Sequence, residues 1–332
     1  SDVYKRQDTY CGSFNSGDAI IMDAINQQIR LLFPYEHTVR YPTHYPLTFK
    51  AIRRIKKSSR VFVGGTNLLS SNIFLSSKKN QWAISQAGAM HLKQHAILFG
   101  CGWKNYNEPT TRLSRLFYKT ILSQTFLHSV RDSYTEQKMR ALGIDNVINT
   151  GCPTLWRLTP DHCAKIPTLK SEQVVFTLTD YRQSPDADRA LISTLFANYK
   201  KIFFWKQGAA DLEYLHSLID PDAFDQMTVI GPALMDFDQL LTETESLEYV
   251  GTRLHAAIRA MQKGRRSLII GVDNRAREKQ IDFSLNVLDR DNIGDLSALI
   301  NSEMATRIAL PVEKIDLWRR QFRPEISSIL IE

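Results

Sequence analysis

A strand-sized apolar run, a polar or glycine-rich turn and an amphipathic helix follow one another repeatedly along this chain, and that rhythm restricts the fold more than any other feature. Val61-Phe62-Val63 closes in Gly64-Gly65-Thr66-Asn67, Ala96 to Phe99 ends at Gly100, and Ser129-Val130 ends at Arg131-Asp132. Helical spacing marks Ile21, Ile25, Ile29 and Leu32 after a start at Asp18, and a polar helix is expected from about Thr48 to Lys57. Leu113, Leu116, Phe117 and Ile121 predict the next helix, and Tyr134 to Leu142 another before a Val147-Ile148 strand. In the second half, Gln173 to Thr177, Ile202 to Trp205, Met227 to Ile230, Leu247 to Val250 and Ser267 to Val272 read as strands. Helices Asp188 to Lys200, Asp211 to Ile219, Arg253 to Lys263 and Ile293 to Ser302 separate or follow them. Strands alternating with helices in this way build parallel α/β sheets.

The 332 residues are enough for two such domains. Leu158 to Glu172, with Pro160, Pro167 and several charges, is the expected break. The division is read as a Rossmann-like domain over 1–165, a second over 166–310, and a C-terminal helix within 311–332. Pro311 suits that helix's start, and Ile315, Trp318 and Phe322 share one face. The fold class is therefore α/β, with two doubly wound parallel-sheet domains facing across a cleft, and ligands belong at the carboxyl ends of the strands. No internal repeat of fixed period is evident, and Ser1 to Gln7 shows no clear pattern.

Composition excludes other classes. Hydrophobic residues make up 43% and charged residues 23%, unlike disordered, collagenous or coiled-coil chains. No apolar run approaches the ~18 residues that span a bilayer, and no signal peptide is visible. Cys11, Cys101, Cys152 and Cys163 form no C-x-x-C pair, so neither a zinc site nor a disulfide framework is expected, and a reducing compartment is. The net charge of +7 suits anionic partners but is ordinary at this size. Nothing pairs basic and aromatic residues as nucleic-acid modules do. Arg53-Arg54-Ile55-Lys56-Lys57 reads as a solvated helix face, with a polyanionic glycan or a membrane surface as the alternative.

The most informative segment is Tyr249-Val250-Gly251-Thr252-Arg253-Leu254-His255. A strand ends, Gly251 permits close backbone approach, and Thr252 is expected to cap a helix whose buried stripe is Leu254, Ala257, Ile258 and Met261. Arg253 and His255 lie off that stripe, so replacing Arg253 is expected to cost little stability. They sit beside unsatisfied N–H groups and the positive end of the helix dipole, a seat for an anion. An ordinary capped helix start with a surface Arg and a structural His is the plainer alternative. Arg131 and Arg275 also follow strands, and three guanidinium groups suit a ligand carrying both phosphate and carboxylate. Arg131-Asp132 as a structural ion pair is the competing view. Gly64-Gly65 is not a Walker loop, because no G-K-[ST] follows. Asn15-Ser16-Gly17-Asp18 can cradle an anion or sugar hydroxyls, or simply cap a loop. Trp82, Trp103, Trp156, Trp205 and Tyr181 lie near strand ends, where they suit sugar stacking or belong to the core.

On these residues the chain resembles the polysaccharide pyruvyl transferase family over nearly its whole length. The matching features are Asn15-x-Gly17-Asp18, Gly64-Gly65-Thr66-Asn67, Ser129-Val130-Arg131-Asp132, Thr150-Gly151-Cys152-Pro153-Thr154 and, most specific, Arg253-Leu254-His255-Ala256. The resemblance implies a glycosyltransferase-B-like architecture and transfer of the enolpyruvyl carbons of phosphoenolpyruvate to a sugar as a cyclic ketal. It implies His255 as the catalytic acid, with Arg131, Arg253, Arg275 and Thr252 at the donor. Asn15, Asp18, Thr66, Asn67 and Gln207 are then the acceptor or loop contacts, with the first domain on the acceptor side. Phosphoenolpyruvate is a co-substrate, and neither cofactor nor metal is implied. The expected partner is a glycan acceptor of a cell-surface or exopolysaccharide precursor, met in the cytoplasm at the inner face of the membrane. One departure stands out: where the family often shows Asp-Pro-Lys, this chain has Asp273-Asn274-Arg275. The implied return of the C-terminal helix to the first domain likewise comes from the resemblance. A nucleotide-sugar-dependent glycosyltransferase and a non-enzymatic glycan-binding module are the competing functions.

Overall fold

The computed structural model of the chain describes residues 3–11, 13–45, 48–55, 60–74, 82–83, 90, 92–104, 106, 108–272 and 280–325. Its contacts divide it into one unit of residues 1–13, 21–156 and 311–332 and another of residues 14–20 and 157–310.

The first unit carries β1 (Val3–Asp8), β2 (His37–Pro42), β3 (Val61–Gly64) and β4 (Ala96–Phe99) in the parallel order β2-β1-β3-β4. β5 (His128–Val130) and β6 (Val147–Asn149) pair with each other and continue beyond β4, where Gly100 N–H donates to Ser129 O at 3.0 Å. β1 falls inside the stretch that showed no pattern. It pairs with β2 along its whole length and with β3 over Lys5, Arg6 and Gln7, so backbone pairing rather than apolar alternation holds it. Between the strands run α1 (Ser16–Leu32), of which residues 16–20 count with the second unit, α2 (Phe49–Ile55), α3 (Arg112–Ile121) and α4 (Ser133–Ala141).

α3 turns a different face to the core than expected. Ser114, Phe117, Tyr118 and Ile121 are buried, whereas Leu113 and Leu116 are 61% and 64% exposed. The buried set follows i, i+3, i+4, i+7, and Ser114 fits because its hydroxyl accepts from Ile73 N–H at 3.0 Å. α12 (Val312–Arg320) belongs to this same unit. Its Trp318 is fully buried against Phe62, Phe99 and Trp156, 4.3 Å from Phe99 between ring centroids. Arg319 donates to Gln28 Oε1 at 2.7 Å.

His128 is a buried imidazole that accepts from Leu98 N–H at Nδ1 and donates from Nε2 to Ser123 O. Desolvation pushes its pKa from 6.5 down to about 4. Below pH 6.5 the unfolded chain takes up a proton that the folded chain refuses. Stability is therefore complete above pH 6.5 and lost as pH falls toward 4, by about 3 kcal/mol over that window. His128→Asn should flatten the slope of unfolding free energy against pH between those limits. An unchanged slope would contradict this role.

The second unit holds β7 (Gln173–Phe176), β8 (Lys201–Trp205), β9 (Met227–Ile230), β10 (Leu247–Gly251), β11 (Ser267–Gly271) and β12 (Val287–Asp289). All neighbours are parallel, in the order β12-β11-β10-β7-β8-β9. Counted within the unit, this is the doubly wound order 3-2-1-4-5-6, which reverses between β7 and β10. The helices are α5 (Pro160–Ala164), α6 (Pro185–Asn198), α7 (Asp211–Leu218), α8 (Pro221–Asp225), α9 (Leu234–Glu243), α10 (Leu254–Gln262) and α11 (Leu296–Asn301). Among the described residues no helix is long and apolar enough to cross a membrane.

The break between units falls at Trp156/Arg157 rather than at 165/166. α5 is tied to the second unit, since His162 Nε2 meets Met261 O at 2.7 Å. Deep inside this unit, Glu248 takes two hydrogen bonds from Arg266 Nη1 at 2.9 and 2.8 Å, and Tyr199 also donates to it. Arg266 spends Nη2 on Ile300 O and Ser302 O, while its buried Nε has no acceptor among the described residues.

Candidate functional site

In the second unit the polar residues gather at the reversal point. β10 runs beside β7 with Tyr249 opposite Val175, so Gly251 arrives at Thr177. A Cβ on Gly251 would stand 2.7 Å from Thr177 N and 2.8 Å from the Tyr249 hydroxyl, so close approach excludes any side chain there. Thr252 does not cap α10. It is buried, with its hydroxyl donating to Thr177 O at 3.2 Å and paired with Thr179 Oγ1 at 2.8 Å. Arg253 occupies the cap position with no side-chain cap bond, and Tyr249 Oη donates to its carbonyl at 2.9 Å.

Arg253 lies off the apolar stripe, yet it is only 4% exposed, which sets aside the plainer alternative of a surface arginine. Its Nε donates to Leu178 O at 2.7 Å, and its Nη2 donates to Asp180 Oδ1 at 3.0 Å and to Asp211 Oδ1. Asp211 is fully buried, and it also accepts from Gly208 N–H at 2.6 Å. One carboxylate thus joins the loops after β7, β8 and β10. Burial pushes the Asp211 carboxyl above its ordinary range, while Arg253 and Gly208 pull it back. A Cβ on Gly208 would collide with the Arg253 guanidinium. Arg253 Nη1 makes no hydrogen bond to a described residue, and the half-exposed Tyr181 ring lies 5.1 Å from the guanidinium carbon. The expectation that Arg253 is cheap to replace is therefore corrected: a buried cation facing two carboxylates is part of the loop's frame.

His255 is half-buried in the first turn of α10, beside N–H groups that lack intrahelical partners. Ala257, Ile258 and Met261 are buried as expected, and Leu254 only partly. Arg275 lies outside the described residues.

Asn15, Asp18 and Gln207 also meet in this unit. α1 opens at Ser16, two residues before the expected start, because Asn15 Oδ1 accepts from Gly17 N–H at 3.0 Å in the manner of a cap. Gln207 Nε2 donates to the same oxygen at 2.9 Å, and Gln207 O accepts from Ser16 N–H. A Cβ on Gly17 would stand 2.8 Å from Gln207 Nε2, so the asparagine–glycine pair fits this contact closely. Asp18 is buried in the first turn, with its N–H donating to Asn15 O.

In the first unit, Thr66, Asn67 and Arg131 are brought together. Gly65 has φ +121°, and a Cβ there would meet Thr9 Oγ1 at 2.6 Å, so this turn needs glycine. Thr66 O accepts from Gly102 N–H at 2.9 Å, and Asn67 Oδ1 accepts from Arg131 Nη2. Arg131 is buried, with Nε 3.5 Å from Asp132 Oδ2, while Asp132 Oδ1 caps α4 by accepting from Thr135 N–H at 2.8 Å. The structural ion pair and the strand-end arginine are thus the same residue.

The aromatic residues divide clearly. Trp82, Trp103, Trp156 and Trp205 are buried in the cores, and of the five named for stacking only Tyr181 is exposed. Sequence reasoning missed Asp180 and Asp211. The available signal was Gly208, a small residue after β8 three positions before an acidic helix start. Among the described residues no three His, Cys, Asp or Glu side chains group to hold a metal ion.

Cys11 is exposed, while Cys101, Cys152 and Cys163 are buried, and burial pushes the Cys101 thiol up to about 12. A thiol reagent should label one cysteine rapidly in the folded protein and the other three only on unfolding. Rapid labelling of two or more would contradict the described burial.

Comparison with solved structures places the fold. A Listeria monocytogenes protein named for UDP-N-acetylglucosamine 2-epimerase matches with a TM-score of 0.53 at 11% identity, covering 98% of this chain and 97% of its own. A second UDP-N-acetylglucosamine 2-epimerase matches with a TM-score of 0.50 at 13% identity, covering 90% and 86%. At such identities the likeness shows the fold alone, that of glycosyltransferase-B-type enzymes with two Rossmann-like units. No curated protein matches the chain. The polysaccharide pyruvyl transferase family profile matches residues 15–274, a span running from the Asn15 turn through the Arg253-Leu254-His255 segment. The chain belongs to the polysaccharide pyruvyl transferase family.

Proposed function

We propose that the chain moves the enolpyruvyl carbons of phosphoenolpyruvate onto two hydroxyls of a sugar, closing a cyclic ketal and releasing phosphate. The observation that carries this reading is the Arg253-Leu254-His255 segment at the reversal point of a doubly wound sheet, in a chain of this family. His255 gives a proton to the enol methylene. The resulting oxocarbenium-like carbon is attacked by one sugar hydroxyl, phosphate departs, and the second hydroxyl closes the ring. The Nη1 edge of Arg253 and the first-turn N–H groups of α10 suit the donor's negative charge. Arg131 and Arg275 keep the donor roles that the resemblance gives them. The acceptor is a sugar of a cell-surface or exopolysaccharide precursor, for which Asn15, Asp18, Thr66, Asn67 and Gln207 are the contact candidates.

Phosphoenolpyruvate should raise the thermal unfolding midpoint, because a ligand bound only by the folded state stabilises it by mass action. A panel of nucleotide sugars should not. Stabilisation by a nucleotide sugar and none by phosphoenolpyruvate would favour a glycosyltransferase instead.

A further inference from the structure

We infer that the outer face of α3 is a docking surface for an anionic lipid bilayer. Arg112, Leu116 and Lys119 lie at the centre of that face, opposite the buried Ser114, Phe117, Tyr118 and Ile121. Leu113 adds to its apolar shoulder and Arg115 to its basic shoulder. Two leucines more than half exposed, one turn apart on a helix with three cations and no acid, are poorly placed facing bulk water.

The neighbourhood extends the same character. Gln94 N–H donates to Thr120 O at 2.9 Å, which brings the exposed Lys93 turn to the end of α3. Arg115 Nε donates to Leu142 O at 3.2 Å, and Lys119 lies over Gly143, so both cations stand to one side of the leucines. Asp145, an exposed acid, lines the same surface hollow as Lys119 and offsets one of these positive charges. Such a surface suits anionic headgroups for Lys93, Arg112, Arg115 and Lys119, with the leucine tips entering the acyl boundary. A second copy of the chain is a poor occupant. A two-fold contact across this face would set the same cations against themselves. The inference does not depend on pyruvyl transfer, because lipid binding is read without any donor or acceptor.

The full chain should co-sediment with vesicles of phosphatidylcholine mixed with phosphatidylglycerol and not with phosphatidylcholine alone, and added salt should weaken binding. Leu113→Ser combined with Leu116→Ser, and separately Arg112→Gln combined with Lys119→Gln, should each lower vesicle affinity by roughly tenfold or more. All four side chains are exposed, so both variants should keep the parent's thermal unfolding midpoint. Failure to bind anionic vesicles, equal binding to both vesicle types, or affinity unchanged in either variant would overturn the inference. Binding to soluble polyglutamate without binding to vesicles would overturn it as well, in favour of an acidic polypeptide.

Discussion

Arg253→Glu should destabilise the second unit by about 3–5 kcal/mol, the usual cost of breaking a buried ion pair. The native guanidinium satisfies Leu178 O, Asp180 and Asp211 at once. A glutamate would leave Leu178 O without its donor and crowd a third carboxylate against two others. Arg253→Lys keeps the charge but not the planar fork, so it should lose less stability while still weakening donor binding. Urea unfolding followed by intrinsic fluorescence measures the first effect, and calorimetric titration with phosphoenolpyruvate the second. An unfolding free energy for Arg253→Glu within error of wild type would show that the ion pairs carry no weight. Full donor affinity in Arg253→Lys would remove the fork from the binding account.

His255→Gln should reduce turnover by ~10²-fold or more, the usual contribution of a positioned acid. Glutamine is similar in size and keeps a hydrogen-bonding tip but cannot deliver a proton near neutral pH. Donor affinity should change far less, since arginines hold the anion in this account. Wild-type turnover should fall on the alkaline side, where the imidazole no longer carries the proton it must give, and the variant should lack that limb. A histidine that merely orders the loop predicts weaker donor binding with a modest loss of turnover. Turnover of His255→Gln within a few-fold of wild type would send the proton elsewhere.

The alternation of strands and helices was legible because a doubly wound sheet imposes it locally. Met227 to Ile230 and the Leu247 and Ser267 strands could be read directly from apolar runs bounded by turns. β1 was not legible, because a strand paired on both sides is held by its ladder, and Tyr4-Lys5-Arg6-Gln7 has no apolar alternation to reveal it. On α3, the exposed Leu113 and Leu116 mimicked a core stripe, and only packing shows that Ser114 and Tyr118 face inward. At the site, the Arg253-Leu254-His255 segment was visible as a strand end entering a helix. The Asp180–Arg253–Asp211 cluster was not, because its members lie 31 to 73 positions apart and meet only when β7, β8 and β10 lie side by side. The same distance in sequence hid the Arg266–Glu248 pair's bonds to Ile300 O and Ser302 O.

We propose that this chain consumes phosphoenolpyruvate to build a sugar ketal. The direct measurement is phosphate release from phosphoenolpyruvate in the presence of a panel of nitrophenyl and lipid-linked sugars, with the sugar product examined by carbon NMR for the quaternary ketal carbon. Acceptor-dependent phosphate release, one ketal formed per phosphate, and loss of both in His255→Gln are the expected results. No phosphate release with any acceptor, together with glycosyl transfer from a nucleotide sugar to the same acceptors, would contradict it.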